Sequence, residues 1–207
     1  WARVIAEGPA GHGSVQTDGE APATLLAAMH AIENAKKPAH VDPIMYELLR
    51  RVGRHKGGIT GLLLKTKPLV QAFVKPKLMQ ESATRSVLTN TAHLTGMGGG
   101  LEPNVVPSEA WAQYDCRLLP GVTADEQLNR IRSWTAHLDG ITIEQLHFNP
   151  SSQSPIDDPV YEAIARYAVE DKPESVAVPA LSVGFTDSLF ARQRGVRAYG
   201  YAPLLLT

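Results

Sequence analysis

Val105-Val106-Pro107-Ser108-Glu109-Ala110-Trp111-Ala112-Gln113-Tyr114-Asp115-Cys116-Arg117-Leu118-Leu119 is the most regular stretch of the chain. Ala110, Ala112, Tyr114, Cys116 and Leu118 alternate with Glu109, Trp111, Gln113, Asp115 and Arg117. Successive side chains of a strand point to opposite faces, so this alternation predicts a strand over 105–119 with one face toward a core. Leu119-Pro120-Gly121 ends it.

Working outward, a helix opens at Thr123, with Glu126 three positions on as a capping box. Leu128, Ile131, Trp134 and Leu138 give it an apolar stripe, and Gly140 closes it. Residues 141–148 alternate like a second strand. On the other side, Val87, Leu88 and Leu94 stand among threonines and predict a strand within 84–97. The glycines from Gly96 to Gly100 then make a flexible connection. They are no phosphate cradle, because no Lys-Ser/Thr pair and helix follow them.

The chain opens with a strand over residues 1–8. A helix over 21–37 follows, with Pro22 in its first turn and Leu25, Met29 and Ile32 at helical spacing. Lys36 and Lys37 suit its last turn, and Pro38 stops it. Residues 43–80 read as helices. Tyr46, Leu48, Leu49 and Val52 make one that ends near Gly57-Gly58, and shorter ones are broken at Pro68 and Pro76. Arg50, Arg51, Arg54, Lys56, Lys65, Lys67, Lys75 and Lys77 make this the basic part of the chain. Aromatic residues are not interleaved with these charges as base stacking needs, so a solvated helical face is expected.

Without that helical piece the order is strand, helix, strand, strand, helix, strand. This is the order of a ferredoxin-like split βαβ unit, an α+β fold with a four-stranded antiparallel sheet and two helices on one face. The expected domains are 1–148, with a helical insertion at about 40–82, and 149–207, a partial α/β segment. The polar stretch Asn149-Pro150-Ser151-Ser152-Gln153-Ser154-Pro155 marks the boundary. Beyond it, Asp158-Pro159 opens a helix running to Ala168, and Thr186-Asp187-Ser188 caps a short one ending at Gly195. Strands are expected at 176–178, 181–183 and 196–201.

The bulk numbers exclude some classes. The 207 residues are 43% hydrophobic and 20% charged, as in ordinary globular proteins. A formal net charge of −1 exerts no global pull on nucleic acid or an anionic membrane. No apolar run is long enough to cross a bilayer. The lone Cys116 rules out an internal disulfide, so a cytoplasmic setting is expected over a secreted one. The chain starts at Trp1 and stops in strand-like Leu204-Leu205-Leu206-Thr207, and it is expected to be a piece of a longer protein.

Three segments carry candidate chemistry. Gly8-Pro9-Ala10-Gly11-His12-Gly13-Ser14 places a histidine between glycines, where nothing beside it screens the imidazole. Asn104 offers an amide and Arg117 a planar fork suited to a carboxylate. Thr186 and Ser188 can donate to an anion at a helix start. Plain structural roles compete with each. His12 and Asn104 suit turns, Arg117 can pair with Asp115, and Thr186 can act as an N-cap. Trp111 and Trp134 suit a core or an interface. No metal-ligand spacing and no Gly-x-Ser-x-Gly elbow occur, and Cys116 has no obvious activating base. Anion-stabilising groups without a nucleophile or base amount to half an active site.

Four motifs, in order, carry a resemblance. They are Gly8 to Ser14, Pro103-Asn104-Val105-Val106-Pro107-Ser108-Glu109-Ala110, Asp115-Cys116-Arg117-Leu118-Leu119-Pro120-Gly121, and Gly184-Phe185-Thr186-Asp187-Ser188. Together the chain resembles the M20 metallopeptidases, a family spanning aminoacylase-1, carboxypeptidase S, carnosinase and succinyl-diaminopimelate desuccinylase. The resemblance implies a zinc-dependent amidohydrolase cleaving a peptide or N-acyl amino acid. It implies two zinc ions whose ligands lie outside these residues, with residues 1–148 as the lid that forms a homodimer. It further implies that His12 stabilises the oxyanion in the partner subunit's site, and that Asn104, Arg117 and Thr186 bind substrate. Many members have arginine soon after Thr-Asp-Ser, where this chain has Leu189, with Arg192 a weak substitute. The long helical piece leans the likeness toward carboxypeptidase S and N-acyl-amino-acid hydrolases. The rival expectation is a non-catalytic ferredoxin-like module that dimerises or binds a small molecule.

Overall fold

The computed structural model describes residues 1–172 and 174–201. In chain order come β1 (Ala2–Glu7), the two-residue β2 (Gly11–His12) and α1 (Ala21–Asn34). Next are α2 (Pro43–Lys56), α3 (Gly58–Lys65), α4 (Lys67–Leu69), a π-helical turn (Val70–Val74), α5 (Lys75–Leu78) and α6 (Ser82–Ser86). Then follow β3 (His93–Gly98), β4 (Val105–Val106), β5 (Glu109–Asp115), α7 (Ala124–Thr135), β6 (Ile141–Gln145), α8 (Pro159–Ala168) and α9 (Ser188–Gln193). Contacts group these into two compact units. One is Trp1–Pro38 with Asn90–Pro150, the other Ala39–Thr89 with Ser151–Thr207. By contact, then, the helical stretch groups with the C-terminal residues, whereas the sequence reading placed it inside a 1–148 domain.

The first unit is built on a four-stranded antiparallel sheet in the order β3-β5-β1-β6. β1 runs between β5 and β6, with Val4 opposite both Ala112 and Ile143. The alternation seen in the sequence is the burial pattern. Ala2, Val4, Ala6, Ala110, Ala112 and Tyr114 are buried on the inner face. Against them pack Leu25, Ala28 and Ile32 of α1 and Leu128 and Ile131 of α7. The many alanines let helix and sheet approach closely, while Ile32, Ile131 and Tyr114 fill the remaining volume. Each fully buried large apolar side chain contributes roughly 1.5–3 kcal/mol.

α7 starts as its residues dictate. Thr123 Oγ1 accepts from the Glu126 N–H at 3.2 Å, and Glu126 Oε2 accepts from the Thr123 N–H at 2.9 Å. This reciprocal pair completes the capping box. α1 ends earlier than its spacing suggests, at Asn34, so Lys36 and Lys37 lie beyond it. The Asn34 amide donates back to the His30 carbonyl at 2.9 Å, and Ala35 is already extended.

The strand expected over 105–119 is cut at both ends. Pro107 has no N–H to give a ladder, so Val105–Val106 pairs separately with Gly11–His12. Past Asp115 the backbone turns to other partners. Arg117 N–H donates to Thr91 Oγ1 (3.1 Å), and Leu119 N–H donates to Asn90 Oδ1 (2.7 Å). Gly96 and Gly98 lie within β3 itself, packed against Trp111, and positive φ begins only at Gly99 and Gly100.

The second unit has its own core, from Met45, Leu49, Leu64, Val70 and Leu88. Val87 and Leu88 are not in a strand. They follow α6, and the Leu88 carbonyl accepts from the His40 N–H at 2.7 Å. Their apolar character serves burial, which overrides β-propensity. Gly57, at φ +64, ends α2 as the spacing predicts. Pro68 and Pro76 do not break helices. Each sits in a first turn, where a missing N–H costs nothing, and the break falls at extended Thr66.

Ion pairs tie α2 together. Glu47 accepts from Arg50 at 2.6 Å and from Arg51 at 2.8 Å, and the Arg51 guanidinium lies 5.3 Å from the Tyr161 ring centroid. α8 begins as expected, with Asp158 capping the Val160 N–H at 2.9 Å. The strands expected at 176–178, 181–183 and 196–201 do not form. A strand requires a ladder with a second strand, and the backbone here turns to other partners: Val196 N–H donates to the Ala191 carbonyl and Ala198 N–H to Ser154 Oγ, each at 3.0 Å.

Candidate functional site

The site is built on the chain between β1 and α1. At its start Gly8 is held to the neighbouring loop, its N–H donating to the Ser108 carbonyl at 3.0 Å. A Cβ at Gly8 would collide with the Gly19 backbone, so only glycine lets this loop close on itself. The chain then pairs as β2 with β4, His12 opposite Val105. Gly13 N–H donates to the Asn104 carbonyl at 2.8 Å, and Val15 N–H closes a turn on the His12 carbonyl at 2.9 Å. This short ladder brings together two residues 92 positions apart, His12 and Asn104. Both are exposed.

Both ring nitrogens of the imidazole have polar neighbours. Ser14 N–H points at Nδ1 from 3.3 Å, and Ser14 Oγ lies 2.8 Å from the same atom. A backbone N–H can only donate, so it treats Nδ1 as an acceptor; an amide –NH2 likewise only donates. Asn104 Nδ2 is 3.4 Å from Nε2. An imidazole and a side-chain amide therefore stand side by side on an exposed turn, and each can offer an N–H to an oxyanion or carboxylate oxygen. Ser14 is the residue that sequence reasoning passed over. Its signal was the His-x-Ser spacing inside a glycine-flanked turn.

Arg117, in the same unit, lies just past β5, and its Nη2 donates to Asp115 Oδ2 at 2.7 Å. The ion pair weighed from the sequence is formed. Thr186 belongs to the second unit, exposed at the start of the six-residue α9. Its carbonyl accepts from the Leu189 N–H at 3.1 Å, and the helix shows no side-chain cap. Arg192 is committed elsewhere. Its guanidinium donates to the Ala198 carbonyl at 2.7 Å and to the Ser152 carbonyl at 3.0 Å, stapling the linker to the C-terminal residues.

Among the described residues no group of three or more His, Cys, Asp or Glu can hold a metal ion. Burial pushes the Cys116 thiol up to about 11, which makes it a poor nucleophile. No described helix is long and apolar enough to cross a membrane.

Comparison with known proteins agrees with these motifs. Aminoacylase-1 of Dictyostelium discoideum is 23% identical over 205 residues, covering 99% of this chain and 44% of its own length. The human N-fatty-acyl-amino acid synthase/hydrolase PM20D1 is 23% identical over 201 residues, covering 95% of this chain and 40% of its own. The chain thus spans less than half the length of these relatives. Among solved structures, the M20 family metallo-carboxypeptidase Sso-CP2 from Sulfolobus solfataricus shares the fold at a TM-score of 0.56. That match has 18% identity and covers 95% of this chain and 55% of the other. The peptidase dimerisation domain pattern matches residues 1–143, more than half of the sequence, and the chain belongs to the M20 peptidase dimerisation domain family.

Proposed function

We propose that this chain is part of a zinc-dependent amidohydrolase cleaving a peptide or N-acyl amino acid, in which it supplies oxyanion-stabilising and substrate-binding groups. The observation that carries the reading is the juxtaposition of two groups able to donate to an anion, the His12 imidazole and the Asn104 amide, with Nε2 and Nδ2 3.4 Å apart. Hydrolysis of an amide passes through a tetrahedral intermediate whose oxygen carries negative charge. Donors fixed beforehand toward that oxygen favour it without reorganisation.

Arg117 and Thr186 are proposed to hold substrate carboxylate or backbone groups. Arg117 would then exchange or share its contact with Asp115 as substrate arrives. The exposed position of His12 suits action on a neighbouring protomer, and the lid is proposed to form a homodimer. Residues 1–148 serve as that lid in this reading, and 149–207 belong to the catalytic part. The zinc ions implied by the family would be held by residues other than the described ones, where they would polarise the scissile carbonyl. The names of the relatives support amide substrates of the N-acyl amino acid or peptide type.

The test is His12→Ala in the full-length protein, assayed over N-acyl amino acids and dipeptides. The expected outcome is a fall in kcat on the order of 10²–10³ with little change in KM, the signature of a group acting on the intermediate. An unchanged kcat would reject the role.

A further inference from the structure

We propose that the helical stretch over residues 43–80 carries a membrane-docking face. Ile59, Leu62 and Phe73 dip into an anionic lipid surface, and the cations around them meet its headgroups.

The charge of the chain is unevenly shared. Residues 39–89 hold nine Lys and Arg against three Asp and Glu, and the remainder holds eleven against eighteen. Between Glu47 and Glu81 no acidic residue occurs. Arg50 and Arg51 are committed to Glu47. Arg54, Lys56, Lys65, Lys67 and Lys77 are exposed, and none of them forms an ion pair among the described residues. Lys67 is braced over the Tyr46 ring, its Nζ 5.5 Å from the centroid, which leaves the ammonium at the surface. A net charge near zero for the whole chain therefore coexists with one strongly basic surface.

α3 brings apolar side chains onto that surface. Its inner side lies close against α2. A Cβ at Gly53 would stand 2.7 Å from Leu64 Cβ, and one at Gly61 would stand 2.7 Å from the Gly53 carbonyl oxygen. Leu64 is buried there. On the side turned away, Ile59 and Leu62 are three positions apart, 80% and 61% exposed. Phe73, in the π-helical turn that lies beside α3, is 64% exposed. A helix that is apolar all round belongs inside something, and α3 is covered on one side only.

The charges decide what can cover the other side. An apolar protein surface would take unpaired lysines out of water, at a cost that nothing offsets. Two copies of this face placed together would set lysine against lysine. An anionic bilayer supplies negative charge as a continuous layer and receives protruding side chains without a preformed pocket. Lys56, Lys65 and Lys67 flank Ile59 and Leu62 in the chain, and their long stems let the ammonium groups stay at headgroup level while the apolar neighbours enter the acyl boundary.

Co-sedimentation of the full-length protein with lipid vesicles tests this. Vesicles of phosphatidylcholine and phosphatidylserine in equal parts are expected to bind it, and pure phosphatidylcholine vesicles to bind it at least roughly tenfold less. Lys65→Glu with Lys67→Glu is expected to weaken binding to the mixed vesicles by roughly a hundredfold. Ile59→Ser with Leu62→Ser is expected to weaken it by roughly tenfold at unchanged charge. All four side chains are exposed, so far-UV circular dichroism of both variants is expected to match the wild type. Equal binding to the two vesicle types overturns the proposal, as does binding that survives either variant. Binding to neither vesicle type also overturns it, and is the result that an acidic protein or another part of the full-length chain seated on this face would give.

Discussion

The two units hold together by different means. The sheet unit is an interleaved core in which alanines on β1 and β5 meet two helices, and its polar contacts lie mainly at the margins. The helical unit has a smaller core and leans on charge, with Glu47 gripped by Arg50 and Arg51 on α2. Hydrogen bonding to Arg50 and then to Arg51 holds the Glu47 carboxyl down to about 2, well below its ordinary 4.5. The sheet unit's displaced groups lie at the other end of the scale. Burial raises the Cys116 thiol to about 11 and the Tyr114 hydroxyl to about 12. The helical unit therefore carries a strongly displaced carboxylate that the acid range reaches, whereas the sheet unit's displaced groups titrate far on the alkaline side.

The largest expected effect sharpens this contrast. Ile32 is fully buried between α1 and the sheet, and Ile32→Ala should destabilise the sheet unit by about 2–5 kcal/mol, through lost transfer energy and the cavity left. All three tryptophans, Trp1, Trp111 and Trp134, lie in this unit, so their fluorescence during urea unfolding reads it selectively.

Next comes acid. The folded helical unit keeps Glu47 ionised where the unfolded chain takes up a proton. The stabilisation is therefore whole above about 4.5 and fades as pH falls toward about 2. Far-UV circular dichroism should show helix loss in this window before tryptophan fluorescence changes. Glu47→Gln should flatten that acid dependence. Simultaneous loss of both signals would break the comparison.

A smaller effect is expected at the capping box. Thr123→Ala should cost about 1 kcal/mol, read as a lower urea midpoint by fluorescence. The smallest is Tyr114→Phe. The Tyr114 hydroxyl is buried and finds no hydrogen-bond partner among the described residues. Removing it should stabilise the sheet unit by up to about 1 kcal/mol, because an unsatisfied buried polar group is lost.

The sheet unit was legible in the sequence because its rules are local. Alternation in residues 109–115, the Thr123–Glu126 box and the apolar spacing of 21–32 each state their own conformation. What was misread depended on partners distant in the chain. Val87 and Leu88 look like strand residues until a core claims them. Val176-Ala177-Val178 has strand composition, but no described strand pairs with it, and the Ala177 carbonyl accepts from the Arg51 guanidinium instead. The candidate site divides in the same way. His12 and Asn104 were visible as residue types, but only a ladder of two residue pairs reveals that they meet. Ser14 was overlooked because its importance lies in a distance to a ring nitrogen.

The position of β1 carries a consequence for biosynthesis. It leaves the ribosome ahead of every other strand of its sheet, yet it pairs on both sides with strands that come much later, Ala2 opposite Tyr114 and also Gln145. During translation its Val-Ile-Ala run has to wait, unsheltered, until more than a hundred further residues have emerged. Sheet closure must therefore be a late and slow event, because long intervening loops are costly to close before their contacts form. A nascent chain stalled short of β6 would display an adhesive edge, a natural handle for chaperones and a starting point for aggregation.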